Sequence, residues 1–362
     1  MSIAATVSTE QAFAACQRLA TTHYENFSVL SWFLPRALRP HFSSVYAFCR
    51  HTDDLGDEDM VDMVDLAPRE AQPQSQPRLK RAPQGGKPPP SLSEAPHRDE
   101  GGIRLSPRGA SWLGEPPGAR FRREGGVGAA ERLARLDDWE ADLRRCFIGA
   151  EAPEHPYLIA LRETIRRFDL PAEPFLRLIE ANRMDQRANR YPTYADVQRY
   201  CEHSANPVGR LVLMLYGYRD EERGRWSDAI CTALQLTNFW QDVARDYHQR
   251  GRVYLPVEDM ARFGYDEPAL ARGEATPAFR ALMCFEVERA RALFYAGLPL
   301  LEHLRGMPGR AVALFALGGL EILAAMERRD YDIFTRRPTL SSRRKLWLMA
   351  RVALAQPGMT HV

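Results

Sequence analysis

The chain has 362 residues, of which 45% are hydrophobic and 27% charged, so it can build one large domain or two ordinary ones. Its 49 basic and 47 acidic residues give a formal net charge of +2, which argues against a general nucleic-acid-binding surface and strong adhesion to anionic membranes. The six cysteines are far apart and form no C-x-x-C pair, which argues against a disulfide scaffold or a zinc site. We expect reduced thiols in a cytosolic protein.

No sequence signal for a membrane span or a secretory leader is evident. Residues 1–11 lack the basic stretch and apolar run of a signal peptide. The longest uncharged apolar run, residues 311–320, would rise only about 15 Å as a helix, which is too short to cross a bilayer. The sequence therefore predicts a protein without a transmembrane helix.

Helical periodicity dominates the chain. Apolar residues recur at three- and four-residue spacing in ten segments, which are residues 11–20, 40–57, 131–147, 157–168, 174–184, 194–216, 226–247, 277–301, 310–328 and 341–354. Alternating strand patterns are never longer than three or four residues. We therefore predict an all-α helical bundle that forms a single domain over residues 1–362.

One segment interrupts the helical pattern. Residues 68–128 contain eleven of the 26 prolines and ten of the 24 glycines, with many arginines and few apolar clusters. Such a composition cannot bury enough apolar surface to offset its ordering entropy. The helical material before it is too short for a domain of its own. We predict a disordered insertion between two helices of one domain.

Two aspartate-rich motifs carry the chemistry. In D-D-L-G-D-E-D, residues 53–59, Asp53 and Asp57 are four apart and are expected to share one helical face. In N-F-W-Q-D-V-A-R-D, Asn238, Asp242 and Asp246 repeat at the same spacing. An acidic helix end can also be a solvated surface, but the second motif lies in an apolar stretch where unpaired carboxylates are costly.

Stacked carboxylates repel one another, whereas carboxylate and amide oxygens suit Mg²⁺, which keeps several waters and is completed by substrate phosphates. Two such faces opposed across a bundle would hold two or three Mg²⁺ ions against a diphosphate. The ions would neutralise the charge that develops on the leaving group. The two motifs together therefore predict a metal-diphosphate site.

Residues near the motifs are candidate substrate ligands. Arg50 precedes Asp53 by three and either binds a phosphate in bidentate fashion or pairs within its helix with a carboxylate such as Asp54. Arg252 and Tyr254 lie in G-R-V-Y-L-P, a turn that could fold back over the cavity. One further cluster of polar and aromatic residues either packs in the core or contributes to the substrate site. Its members are His23, Tyr24, Asn26 and Phe27.

These motifs together resemble those of the squalene/phytoene synthase family, the head-to-head prenyl synthases. V-Y-A-F-C-R-H-T-D-D-L-G-D-E resembles the first aspartate motif of the family. Q-L-T-N-F-W-Q-D-V-A-R-D followed by G-R-V-Y-L-P resembles the second. Y-C-E-H-S-A-N-P-V-G resembles the helix break between them, with Gly209 at a close-packed position. The resemblance runs over residues 23–59 and 131–351, leaving out the insertion.

The resemblance implies a class I isoprenoid (terpenoid) synthase fold around a central cavity and a prenyl diphosphate substrate. It assigns Mg²⁺-diphosphate binding to Asp53, Asp57, Asn238, Asp242 and Asp246. It places in the pocket Tyr46, Arg50, Gln235 and Tyr254, with Asp185 on a neighbouring helix. An apolar chain also needs an apolar wall, and residues that serve either this wall or the ordinary core are Phe48, Leu211, Met214, Leu215, Leu234 and Phe315.

Within the family, H-Y-E-N-F-S-V-L-S-W-F-L-P and Q-L-T-N-F-W-Q-D-V resemble the hydroxysqualene synthases of bacterial hopanoid pathways most. These enzymes take presqualene diphosphate, release diphosphate and capture the rearranged cation with water. Gln241 stands where many members of other branches have arginine. Gln241, His23 or Asn26 could position that water.

Three alternatives remain open. The first is a squalene or presqualene diphosphate synthase that acts on farnesyl diphosphate; the chain has no G-x-G-x-x-G fingerprint, although this fold would bind NADPH without one. The second is a non-catalytic assembly protein, which would be expected to lose the aspartates. The third, a head-to-tail prenyltransferase or terpene cyclase, fits the flanking sequence poorly. Because the substrate and product are lipids, we expect a cytoplasmic protein with a peripheral contact to the inner membrane and an association with neighbouring pathway enzymes.

Overall fold

The computed structural model describes residues 7–23, 34–57, 128–149 and 153–354. These residues belong to one compact unit, formed by Met1–Met60 and Arg120–Val362. Within the described ranges the secondary structure is helical, and strand pairing is limited to an isolated parallel bridge between Arg190 and Val253. The all-α prediction is therefore confirmed. The predicted insertion lies outside the described residues except for Gly128.

Five helices form the N-terminal half, namely α1 (Thr9–His23), α2 (Arg39–Gly56), α3 (Ala129–Ile148), α4 (Pro156–Phe168) and α5 (Glu173–Arg187). Their apolar faces enclose a core that includes Phe48, Leu136 and Phe175. The Trp139 indole of α3 donates to the Thr52 hydroxyl of α2 at 3.0 Å and stacks near Phe48, so the helices on either side of the insertion contact each other.

The C-terminal half packs around the long helix α8 (Glu221–Arg245). Its other helices are α6 (Tyr194–Ser204), α7 (Asn206–Leu215), α9 (Val257–Arg262), α10 (Glu267–Ala271), α11 (Pro277–Gly297), α12 (Leu300–His303), α13 (Met307–Glu327) and α14 (Ser342–Leu354). Trp240, Phe279 and Phe294 are fully buried in a second core around α8 and α11. All six cysteines are free thiols, and Cys16, Cys146 and Cys201 are buried in the two cores.

The helix break expected near residues 200–209 is confirmed. One helix ends at Ser204 and the next begins at Asn206, because Pro207 has no N–H to donate and its ring would clash with the preceding turn. A Cβ on Gly209 would lie 2.4 Å from Ser227 Oγ and 2.5 Å from Cys231 Sγ, so α7 and α8 pack too closely for a side chain there. The short helices α9, α10 and α12 were not predicted, because each is too brief to show a clear apolar period.

Helix α13 bears on the prediction that the chain has no transmembrane helix. Among the described helices it is the one that is long and apolar enough to cross a bilayer by length and composition, with a mean hydropathy of 1.6. Half of that window is buried inside the protein, and Ala316 and Leu323 of α13 belong to the core around α8. This packing is that of a core helix.

Candidate active site

The first aspartate motif ends α2 and is held there by α5. Asn182 Nδ2 donates to Asp53 Oδ1 at 3.1 Å, and Gln186 Nε2 donates to the Gly56 carbonyl at 2.8 Å. A Cβ on Gly56 would lie 2.5 Å from Asn182 Oδ1, so the glycine permits this close approach. Helix α5 therefore fixes the position of the carboxylate.

Asp57 follows the last turn of α2, and its N–H still donates to the Asp53 carbonyl at 2.9 Å. The helix ends at Gly56, and Asp57 is its C-cap in an extended conformation, with φ −88° and ψ 155°. Asp53 is accessible to solvent but lies in a recess among the helices, where lost solvation raises its pKa to about 7. The Asn182 hydrogen bond opposes this shift, and the nearby charges of Asp57 and Asp185 add to it.

The second motif follows the last turns of α8, and its three members have different surroundings. Asn238 is exposed. Asp242 accepts two hydrogen bonds from the Arg337 guanidinium, at 2.5 Å from Nε and 2.8 Å from Nη2. Asp246 is buried, which raises its pKa to about 6; Arg250 opposes this shift and Asp242 adds to it.

A π-helical turn, Asp246–Arg250, follows α8 and redirects the chain at Gly251, whose φ is +64°. Turns of this type are frequent at functional sites. After it, Tyr254 stacks on Phe239 with ring centroids 3.7 Å apart, and Arg252 comes back against α5. The G-R-V-Y-L-P segment thus folds back over the end of α8 and against α5.

Asp185 and Arg252 connect the two motifs. Arg252 Nη1 and the Tyr200 hydroxyl both donate to Asp185 Oδ2, at 3.1 Å and 3.0 Å. Burial raises the pKa of Asp185, with Arg252 opposing the shift. Asp185 lies close enough to Asp57 and Asp53 to interact electrostatically with both, while Arg252 interacts with Asp246. The C-terminal ends of α2, α5 and α8 therefore form one charged site.

An apolar cavity of about 340 Å³ begins beside Asn238. Its polar lining includes Asn238, Gln241 and Arg337, and its apolar wall comes mainly from α13 and α14. Two residues expected at an apolar wall, Leu234 and Phe315, line it. The others belong to the N-terminal core, where Phe48, Leu211 and Leu215 are buried and Met214 packs against them.

The remaining predicted residues have varied positions. Arg50 Nη2 pairs with Asp54 Oδ1 at 2.5 Å, which is the intrahelical alternative. Tyr46 lies on α2 and packs against the N-terminal core, and Gln235 is half-buried on α8. Gln241 lines the cavity and donates one amide N–H to the Pro338 carbonyl. His23 is the last residue of α1, and Tyr24, Asn26 and Phe27 lie outside the described residues.

Three site residues were missed by the sequence reasoning. Asn182 shares a helical face with Asp185, three residues later, and with Gln186, four residues later, and this spacing could have indicated them. Arg337 lies in an irregular segment between α13 and α14, where no periodic signal marks it.

The residues suit Mg²⁺ in their chemistry but do not form a closed cage. All candidate ligands are carboxylate or amide oxygens, and buried Asp185 Oδ1 has no hydrogen-bond partner among the described residues. No three carboxylate, histidine or cysteine groups in the described ranges lie close enough together to hold an ion by themselves. Phosphate and water oxygens would therefore have to complete the coordination.

The comparisons with known proteins agree with this arrangement. The sequence model of the squalene/phytoene synthase family matches residues 20–98 and 122–344. The chain therefore belongs to the squalene/phytoene synthase family and is a head-to-head isoprenoid synthase. The match extends to residue 98, so it reaches further into the predicted insertion than the motifs indicated.

Individual relatives include both squalene and phytoene synthases. The chain is similar to the crystal structure of squalene synthase HpnC from Alicyclobacillus acidocaldarius, with 39% identity, a TM-score of 0.67 and coverage of 89% of this chain and 95% of that one. It is 35% identical to a 15-cis-phytoene synthase of Synechococcus elongatus, over 62% of this chain and 75% of the relative. A dehydrosqualene synthase crystallised with a ligand shares the fold, with a TM-score of 0.69 at 23% identity and coverage of 95% and 96%.

Proposed function

We propose that the protein converts presqualene diphosphate and water to hydroxysqualene and diphosphate. The observation that carries the proposal is the charged site that meets an apolar cavity at Asn238, since the substrate has one diphosphate end and a long hydrocarbon. The sequence supports the choice of step, because its N-terminal segment and Gln241 resemble the water-capturing branch. The 39% identity to a squalene synthase over 89% of this chain adds support.

In the proposed reaction the C–O bond to diphosphate breaks, and the leaving group keeps the bonding electrons. The cyclopropylcarbinyl cation rearranges, water adds its oxygen to the cation, and one proton is released. Bound Mg²⁺ would neutralise the charge that develops on the leaving diphosphate. Its ligands would be Asp53 and Asp57 from the first motif, and Asn238, Asp242 and Asp246 from the second.

The other side chains of the site would orient the substrate and exclude water. Arg252, fixed by Asp185, and Arg337, beside the cavity, supply positive charge for phosphate oxygens. The buried Tyr254 ring stacks between Phe239 and Tyr191 and so holds the segment that carries Arg252 against the end of α8. The walls of α13 and α14 would shield the cation from bulk water.

A second candidate function is the condensation of two prenyl diphosphates, as in phytoene or presqualene diphosphate synthesis. The identity to phytoene synthases favours it, and the same acidic residues would serve it. The two candidates differ in substrate and in the fate of the cation. We further propose a cytoplasmic protein that associates with neighbouring enzymes of the pathway.

Product analysis by mass spectrometry in ¹⁸O-labelled water tests the proposal. The purified protein with Mg²⁺ receives either presqualene diphosphate or farnesyl diphosphate, with and without NADPH. We expect a labelled C30 alcohol from presqualene diphosphate alone. Asp53→Ala and Asp242→Ala should abolish it, whereas Asp138→Asn, an exposed acid on α3, should not.

Other products would select other functions. Squalene formed only with NADPH, or an unlabelled hydrocarbon formed from a prenyl diphosphate, would support the second candidate and overturn the first. A folded protein that binds Mg²⁺ but turns over neither substrate would indicate a non-catalytic family member.

A further inference from the structure

The outer face of α14 is apolar and exposed. Leu348 and Val352, four apart, are buried in a small core with α12 and α13. On the opposite side, Leu346, Trp347 and Leu354 are 67%, 44% and 83% exposed. They belong to the few large apolar residues that the described surface exposes, and three on one short helix make a patch.

Positive charge surrounds this patch. Six of the residues 333–354 are Lys or Arg and none is Asp or Glu, in a chain whose net charge is only +2; of the six, Arg337 pairs with Asp242 and Arg344 with Glu321. Arg343, Lys345 and Arg351 are exposed. The guanidinium carbons of Arg344 and Arg351 lie 4.1 Å and 5.4 Å from the centre of the Trp347 ring. A helix with tryptophan and leucine on one face and cations around them is typical of helices that lie in a membrane interface.

We propose that α14 docks the protein on an anionic lipid surface. Leu346, Trp347 and Leu354 would enter the boundary between head groups and acyl chains, and the surrounding cations would contact lipid phosphates. A second copy of the chain is a poorer occupant, because pairing two such faces would place like charges opposite one another.

The other face of the same helix borders the cavity. Lys345, Leu348 and Met349 line it, so α14 separates the cavity from the surface that would contact lipid. This location would let an apolar chain pass between bilayer and cavity with little exposure to water, a role that rests on the proposed function. The docking itself does not depend on it.

Vesicle co-sedimentation of the full chain, without substrate or Mg²⁺, tests the docking. We expect binding to vesicles of phosphatidylcholine with phosphatidylglycerol, and little binding to phosphatidylcholine alone. Combined Leu346→Ser, Trp347→Ser and Leu354→Ser should lower the partition coefficient more than about tenfold. Arg343→Gln with Arg351→Gln should lower it about fivefold per cation, and added salt should reduce this difference.

Matched controls are Ile148→Ser and Tyr295→Ser, which remove apolar side chains that are 77% and 50% exposed on other helices. Both should bind as the wild type does. Quenching of Trp347 fluorescence by brominated lipid, taken as the difference between the wild type and Trp347→Phe, gives a readout that a folding defect would not produce.

The docking is overturned if the wild type does not bind anionic vesicles or if the triple variant binds equally well. It is also overturned if light scattering shows a dimer that the triple variant dissociates, since a second copy would then cover the face. Turnover in detergent micelles separates the two proposals. A triple variant that loses vesicle binding and keeps turnover supports the docking, whereas a wild type that binds vesicles without turnover contradicts only the proposed function.

Discussion

Asp242 takes part in two interactions that compete. It accepts both hydrogen bonds of the Arg337 fork, which is a strong, charge-assisted arrangement, and it is also a predicted ligand of Mg²⁺. A cation that binds Asp242 must therefore draw it away from Arg337. The released guanidinium would remain beside the cavity, near the position expected for diphosphate.

Arg337→Met should separate these two effects. Without its competitor, Asp242 is expected to bind Mg²⁺ several-fold more tightly, whereas inorganic diphosphate should bind more weakly because the cavity loses a positive charge. Isothermal titration of each ligand measures both changes. Arg280→Met is the control, since it breaks a surface ion pair with Asp330 far along the chain from the motif. Unchanged affinities for both ligands would show that the pair has no role in binding.

At the scale of single residues, the sequence indicated the acidic residues that the structure brings together better than it indicated the residues that contact them. Spacing identified Asp53, Asp242 and Asp246, because four-residue repeats on helices are local patterns. The Arg337–Asp242 pair joins residues far apart in the chain, and no local pattern encodes it. Arg50 shows the reverse case, since the local alternative, pairing with Asp54, is what the structure has.

The contact between α2 and α5 is as important to the site as either helix alone. Gly56→Ala should push Asn182 away from Asp53, because the new Cβ would approach Asn182 Oδ1 to 2.5 Å. We expect a loss of about 1–3 kcal/mol in stability and a larger fractional loss of turnover. Chemical denaturation and product formation measure the two.

The control for the stability measurement is Gly318→Ala on α13, where nothing lies within 4 Å of the added Cβ; turnover is not compared, because Gly318 lines the cavity. It should be neutral or stabilising by about 0.5–1 kcal/mol, because alanine favours helix more than glycine does. Equal effects of the two substitutions would show that the close approach at Gly56 is unimportant.

Helices α9 and α11 share a buried acid whose pKa predicts a dependence of stability on pH. Glu286 is fully buried, and this burial raises its pKa to about 8; Arg289 opposes the shift and Asp259 adds to it. Arg289 contacts both acids, at 2.8 Å from Asp259 and 3.2 Å from Glu286, and lies over the Tyr194 ring. The folded protein therefore retains a proton that the unfolded chain releases near pH 4.5.

Because the folded state binds more protons between these values, Glu286 makes stability fall as the pH rises from about 4.5 to about 8. Glu286→Gln should remove this contribution, so the melting temperature should drop less between about pH 5.5 and about pH 8.5 than in the wild type. Thermal unfolding at the two pH values measures the drop. The same drop in both proteins would contradict the raised pKa.

At the scale of helices, the periodic spacing of apolar residues predicted the long helices. It did not predict the features that depend on packing between helices. All ten predicted segments are helical, with ends that move by a few residues. The π turn after α8 was not predicted, because its residues continue the helical pattern and only the contact of Arg252 with Asp185 shows where the chain must turn. The helix of the first motif ends at Gly56, one residue earlier than predicted, so Asp57 is its C-cap.

For the molecule as a whole, the fold class could be predicted from the periodicity and composition of the sequence. The close approach of the two aspartate motifs could not be predicted from them. The motifs lie on α2 and α8, and their connection through Asp185 requires the packing of α5 between them. That packing is set by many contacts distant in the chain. Resemblance to a family supplied this information before the structure did.

Deletion of residues 99–121 tests how far the fold depends on the segment between α2 and α3. These residues fall between the two ranges that match the family, and the helices on either side contact each other directly. We expect a variant with a short Gly-Ser linker in their place to keep its helical circular dichroism, its melting temperature and its turnover. A variant with the same residues in scrambled order is the control. Loss of helical signal in the deletion but not in the scrambled variant would contradict this prediction.

Different helices supply the charged site and the apolar cavity wall, and this separation has an evolutionary consequence. The proposed oxygen ligands lie at the ends of α2 and α8, whereas most of the apolar cavity wall comes from α13 and α14, near the C-terminal end of the chain. If the proposed function holds, mutations in these last helices would change the size of the hydrocarbon that is accepted without altering the ionising chemistry. Selection can therefore act on the carbon skeleton and on the departure of diphosphate as two separate traits within one fold.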